Sequence, residues 1–276
     1  MTEQAVDVWP TPFRMAGEAC GVAVRISTDT EELAPRLAEL LPPDWVEHPF
    51  DELHVEPDVE VPHFALFTHD GIEYQLMRDT VMLARSDLRV ALHIFDAQLR
   101  AYIALHSPNR IFVHAGAVGH RGRAIVIPGK SFSGKTTLVA ELVRAGATYY
   151  SDEYAVLDES GLVHPYAKPL SIRVDHGVGI NHAVESLGGA PGTEPLPLGL
   201  IVLSQYLPGA TWEPQPLSSG EAVLAMLSNT VPAQDRPEET MHALRAAVDG
   251  SGAIALAGER GNASEMAAQL LASLPE

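Results

Sequence analysis

The stretch Gly129-Lys130-Ser131-Phe132-Ser133-Gly134-Lys135-Thr136 fits the pattern G-x-x-x-x-G-K-[ST] at every fixed position. Glycines let a backbone curl until successive N–H groups point inward, an arrangement that cradles phosphate oxygens. Upstream, Ala124-Ile125-Val126-Ile127 is an apolar run that reads as a strand entering the loop. Downstream, Leu138, Val139, Leu142 and Val143 recur at helical spacing, so Thr136–Ala145 reads as a helix stopped by Gly146. Strand, glycine loop and helix, in that order, form the context the motif requires. The start of such a helix adds its own positive partial charge. On this reading Gly129, Lys130, Ser131, Phe132, Ser133, Gly134, Lys135, Thr136 and Thr137 hold a nucleotide. Lys135 reaches the β- and γ-phosphates, and Thr136 offers its hydroxyl to Mg²⁺. No N-K-x-D run is present to select guanine, so the expected ligands are ATP and Mg²⁺.

Working outward, Ile111–Val118 reads as a strand, Gly119–Gly122 as a turn and Arg123–Ile127 as the strand that feeds the loop. After the loop helix, Tyr149–Leu157 reads as one further strand, followed by a hairpin around Asp158–Gly161. Asp152 and Glu153 lie on that strand, Asp152 seventeen residues after Lys135. One helix, a turn and a strand fit in that interval and return the chain to the loop. Two adjacent carboxylates can divide labour: one holds Mg²⁺ directly or through water, the other accepts a proton from an attacking hydroxyl. The bland alternative is a solvated acidic turn. His114 sits on the preceding strand, where a lone histidine is ordinarily structural. Lys168 and Arg173, further on, could neutralise charge on a transferred phosphoryl group or simply face solvent.

Beyond this core, residues 186–199 read as a glycine- and proline-rich loop, 200–203 as a short buried strand, 218–229 and 237–248 as helices, 253–257 as a strand and 264–273 as a closing helix. Strands alternating with helices argue for α/β layers. Ser107-Pro108-Asn109 marks a boundary, giving an N-terminal α+β domain over 1–108 and a nucleotide-binding domain over 109–276. In the first, 13–27 reads as one or two strands and 30–41 as a helix capped by Thr28 or Asp29 and stopped by Pro42-Pro43. Residues 42–60 read as a surface loop. Phe64–Thr68 and Ile72–Arg78 flank His69-Asp70-Gly71 as a hairpin. Val81–Ala84 reads as an apolar strand, and 87–106 as a long amphipathic helix.

The chain has 276 residues with 36 acidic and 18 basic side chains, a formal charge of −18. Such a surface repels nucleic acid and anionic membranes, so neither is an expected partner. Hydrophobic residues make up 46%, enough for a packed core. Cys20 is the only cysteine, which excludes an internal disulfide and a cysteine-rich zinc site. H-E-x-x-H and G-x-S-x-G are absent, so neither a zinc hydrolase nor a serine hydrolase is indicated. The first thirty residues carry Asp7, Pro10, Pro12, Arg14 and Glu18 and do not read as a secretory leader. A cytoplasmic protein is expected.

Taken together, His114-Ala115, the loop 129–136, Arg144-Ala145-Gly146 and Asp152-Glu153 resemble the catalytic domain of the HPr kinase/phosphorylase-related family, over roughly residues 111–175. The resemblance implies a P-loop domain with a mixed sheet of the HPr kinase/phosphoenolpyruvate carboxykinase type. It implies a kinase that transfers the γ-phosphoryl group of ATP to a hydroxyl, with a serine of a protein or peptide as acceptor. It also implies roles: Asp152 as acid/base, Glu153 assisting Mg²⁺, and His114 supporting the carboxylate, with Lys135 at the phosphates. Here the acidic pair is Asp-Glu where the family usually has Asp-Asp. The residues themselves leave two other readings open, a non-enzymatic nucleotide-binding regulator and an NTPase that acts on water. Assembly into a homo-oligomer also stays open.

Overall fold

Alternating apolar residues write the first sheet. A computed structural model describes residues 11–53, 60–130, 133–172 and 180–274. Strands β1 (Phe13–Ala19) and β2 (Val22–Thr28) form a hairpin whose turn, Cys20-Gly21, takes positive φ at both residues, the geometry that suits the twist of paired strands. The helix expected over 30–41 shrinks to α1 (Leu33–Ala38). Asp29 does not cap it. Its carboxylate instead accepts from the Thr68 N–H at 2.9 Å, so the first turn forms further on, without a side-chain cap. The segment expected as loop contains a short strand, β3 (Val46–His48), that pairs with β1.

Next come β4 (His63–His69), β5 (Glu73–Arg78) and β6 (Val81–Ser86), joined by turns, and α2 (Leu88–His106). The Asp87 carboxylate caps α2 by accepting from the Val90 N–H. The six strands run in the order β3-β1-β2-β4-β5-β6, antiparallel except for β2 against β4. Ala91, Leu92, Phe95, Leu99 and Ile103 are the buried stripe of α2, and Phe95 meets Phe64 of β4 edge to face.

The chain divides into two compact units, Met1–Pro108 and Asn109–Glu276. The second unit begins with β7 (Ile111–His120) and β8 (Arg123–Pro128). Their turn is Arg121-Gly122 alone, both at positive φ, because Gly119 and His120 continue the ladder opposite Ala124 and Arg123. The loop 129–134 follows, then α3 (Lys135–Arg144), β9 (Thr148–Ser151), β10 (Tyr154–Leu157), β11 (Val163–His164), β12 (Leu170–Ile172) and β13 (Ile180–His182). The remainder is β14 (Leu198–Tyr206), β15 (Gln215–Pro216), α4 (Ser219–Leu227), α5 (Pro237–Arg245), a π turn over Ala246–Gly250, β16 (Ile254–Arg260) and α6 (Ala263–Ser273).

The unit is mixed α/β. Its main sheet runs β11-β10-β7-β8-β14-β16-β15, with β9 also on β7. β8, β14 and β16 are mutually parallel neighbours, whereas β7 is antiparallel to β8. Successive residues of a strand face opposite sides, and β8 shows what that does. Ile125 and Ile127 join Leu138, Val139 and Leu142 of α3 and Met266, Leu270 and Leu271 of α6 in one buried cluster. Ala124 and Val126 join Ala222, Val223 and Met226 of α4 and Ala243 and Leu244 of α5 in the other. The sheet is therefore sandwiched between helices, and the glycine-rich loop leaves from the carboxyl end of a central parallel strand.

Candidate functional site

The loop is anchored at both ends. At its start the Gly129 N–H donates to the His114 carbonyl at 3.2 Å, extending the β7–β8 ladder. At its end Gly134 takes φ +83, and α3 starts at Lys135. This left-handed turn favours glycine. A Cβ at Gly134 would also lie 2.2 Å from the Arg260 guanidinium. Ser131 and Phe132 fall outside the described residues.

Lys135 is buried. Its ammonium donates to the carbonyls of Gly129 at 2.7 Å and Lys130 at 2.8 Å, so it bends back over the loop that precedes it. Burial lowers its pKa from 10.5 to about 8, partly offset by the charges of Asp152 and Glu153. The next residue, Thr136, donates its hydroxyl to Asp152 Oδ2 at 3.0 Å. The other oxygen, Oδ1, accepts from the Tyr149 hydroxyl at 3.0 Å. Two hydroxyl donors thus hold the Asp152 carboxylate in place beside the first turn of α3. Burial, with Asp152 beside it, raises the Tyr149 hydroxyl well above the ordinary tyrosine value. Thr137 is exposed on α3, and Lys130 is exposed in the loop.

A local device sets Asp152 and Glu153 in place. The single strand expected over 149–157 is broken into β9 and β10 at the acidic pair. Both pieces pair with β7, Ser151 opposite Ala117 and Tyr154 opposite His114, while a register shift between Ala117 and Val118 sets Tyr149 opposite Val118 and Thr148 opposite Gly119. Between them the buried Ser151 Oγ accepts from the N–H groups of Glu153 and Tyr154 at 3.1 and 3.0 Å. The hydroxyl thus does what a ladder partner would otherwise do.

Glu153 forms an ion pair with Lys168. His114 Nδ1 lies 2.9 Å from the Glu153 carbonyl oxygen, so the ring donates its Nδ1–H there. Burial, and next the Lys135 charge, lower the imidazole pKa below its ordinary value, so the ring is neutral at pH 7. Lys135, Thr136, Asp152, Glu153, His114 and Lys168 therefore lie around one end of β7, β8 and β10. Arg173 lies outside the described residues.

Two participants were not singled out from sequence. Tyr149 enters the sequence reading as the start of a strand; it is buried, at 1% exposure, and its hydroxyl binds Asp152. Arg260 ends β16, and its Nη2 donates to the Gly134 carbonyl at 3.0 Å. It lies 126 residues from its partner, and no spacing rule links them. The sequence signal would have been the strand itself, had it been read past Ala257.

Among the described residues no group of three or more His, Cys, Asp and Glu side chains could hold a metal ion, and no helix is long and apolar enough to cross a membrane. No protein-family model matches this chain, and no curated protein matches it.

Proposed function

We propose that residues 109–276 form a P-loop phosphotransferase domain of the HPr kinase type. It would move the γ-phosphoryl group of ATP to a serine hydroxyl of a protein or peptide. The observation that carries the reading is the 3.0 Å bond between the Thr136 hydroxyl and the Asp152 carboxylate, one residue beyond Lys135. A glycine loop alone binds anions. A hydroxyl and a carboxylate joined at its exit give two hard oxygen donors where a divalent cation bridges phosphates. Phosphate oxygens and water complete the shell of such a cation, so a cluster of protein carboxylates is not required. Mg²⁺, when bound, would neutralise charge on the β- and γ-phosphates.

The chain's own groups then have separate tasks. Lys135 exchanges the carbonyls of Gly129 and Lys130 for phosphate oxygens, a stronger partnership because both sides are charged. The free N–H groups at the start of α3 bind the same anion. Asp152 has both oxygens engaged by hydroxyls, one of them that of Thr136 at the loop exit, which places it for cation binding. Glu153 is then the carboxylate left to take the serine proton, with Lys168 balancing its charge and His114 bracing its backbone. This division reverses the roles the family resemblance implies. The serine acceptor rests on that resemblance.

Calorimetry with MgATP tests the reading. Wild type should bind at micromolar strength, and K135A should lose binding. With a serine acceptor, E153Q should keep MgATP affinity and lose about a hundredfold in kcat, the usual range for general-base removal. D152N should lose affinity first. The opposite pattern would return the roles to those the resemblance implies. Wild type that binds no nucleotide would end the kinase reading.

A further inference from the structure

Arg260 is 3% exposed. Its Nη2 contacts the Gly134 carbonyl, and its guanidinium carbon stands 5.6 Å from the centre of the Tyr206 ring. Its Nε has no hydrogen-bond partner among the described residues. Among the described residues the Tyr206 phenol is the titratable group whose charge acts on it, while burial lowers its pKa. No carboxylate among the described residues pairs with this cation, and an uncompensated buried charge destabilises a fold. Nor does the loop need it: the Gly134 carbonyl already accepts from the Leu138 N–H at 3.2 Å. A buried cation that the fold does not require, held against an anion-binding turn, is poised for an anion.

We propose that Arg260 is the second fixed cation of the phosphate site and donates to a phosphate oxygen of the bound nucleotide alongside Lys135. The proposal rests on the nucleotide-binding reading. Lys135 approaches from the helix that follows the loop, and Arg260 from the end of β16, two strands away from β8 in the sheet. Arginine suits the position because its rigid fork can keep the Gly134 carbonyl on one arm and take an anionic oxygen on another. Tyr206, 55% exposed, lies against the guanidinium and keeps it from swinging into water.

The test uses the full chain as wild type, R260M, R260K and K135A. Melting is followed with and without inorganic tripolyphosphate, and MgATP binding by calorimetry. R260M should melt at or above wild type without anion, because an unpaired charge has been removed and no carbonyl orphaned. Its stabilisation by tripolyphosphate should shrink, and its MgATP affinity should fall roughly ten- to a hundredfold, the range for a lost charged hydrogen bond. R260K should fall less. R260M that fails to fold, or melts well below wild type without anion, makes the guanidinium a structural bracket and overturns the proposal. So does R260M that binds MgATP within about threefold of wild type while K135A does not bind; the nucleotide reading then survives alone. Wild type that binds neither ligand overturns both.

Discussion

Lys135 shows how burial tunes a single residue. Its pKa of about 8 lies below the ordinary 10.5, so between those values the unfolded chain binds a proton that the folded chain does not. Stability from this group therefore rises as pH increases from about 8 towards 10.5. K135M should lack that rise in urea titrations across the window. Ligand binding has the opposite sign. Phosphate needs the ammonium, so MgATP affinity should fall about tenfold per pH unit above about 8, where an ordinary lysine would hold its charge for two further units. Calorimetry from pH 7 to 9.5 checks this, and a flat profile would refute it. Tyr149 has a different role. Y149F removes one of two hydroxyls on Asp152, so it should cost about 1–2 kcal/mol of stability by denaturant unfolding and weaken MgATP binding less than D152N does. Residues inside the glycine-lysine motif were legible because spacing along a loop is local. Tyr149 was half legible, since the sequence placed it on a strand but gave no sign of its hydrogen bond to Asp152.

At the scale of elements, periodicity located most helices and strands, and side-chain hydrogen bonds decided where they stop. The 149–157 run alternates like one strand, yet Ser151 interrupts it where the acidic pair must stand. S151A would leave the N–H groups of Glu153 and Tyr154 without the acceptor they now share. It should cost about 2 kcal/mol, since buried unsatisfied donors are expensive, and should lower MgATP affinity by moving Asp152. A loss of stability with affinity intact would separate the strand break from the site. The following turn is held as tightly. Asp158 accepts from the Ser160 N–H and hydroxyl, the Leu162 N–H and His164. Burial opposes its ionisation, but these bonds outweigh burial and hold its pKa below the ordinary carboxylate value. The stability it gives is present above the unfolded-state pKa and is lost as pH falls through the lowered one. D158A should therefore destabilise at neutral pH, by about 1–2 kcal/mol, and the difference from wild type should close in strong acid. The helix expected at 30–41 was misread for the same kind of reason. Asp29 is a good cap in sequence, but a partner 39 residues away claims its carboxylate, and no local rule anticipates that.

At the scale of the molecule, strand neighbours decide what the site contains. β16 lies beside β14, which lies beside β8, so the end of a strand late in the chain arrives next to a loop in its middle. Sequence foretold alternating strands and helices but not this order, because strand pairing at long separation leaves no periodic trace. The order also bears on where function resides. The buried clusters on both helix-covered faces of the second sheet are built from residues of Asn109–Glu276, and a domain of about 150 residues buries roughly 70% of the surface its unfolded chain exposes. Lys135, Thr136, Asp152, Glu153, His114 and Arg260 all belong to that unit. A fragment beginning at Asn109 should therefore fold cooperatively, and its MgATP affinity should stay within about threefold of the full chain. Acceptor phosphorylation need not survive the cut, because the first unit has its own sheet and is a separate candidate for acceptor recognition. A fragment that folds yet binds no MgATP, when the full chain does, would place part of the nucleotide site on residues 1–108. A fragment that binds MgATP but has lost the acceptor would assign substrate choice to the six-stranded sheet and the chemistry to the strands around the loop.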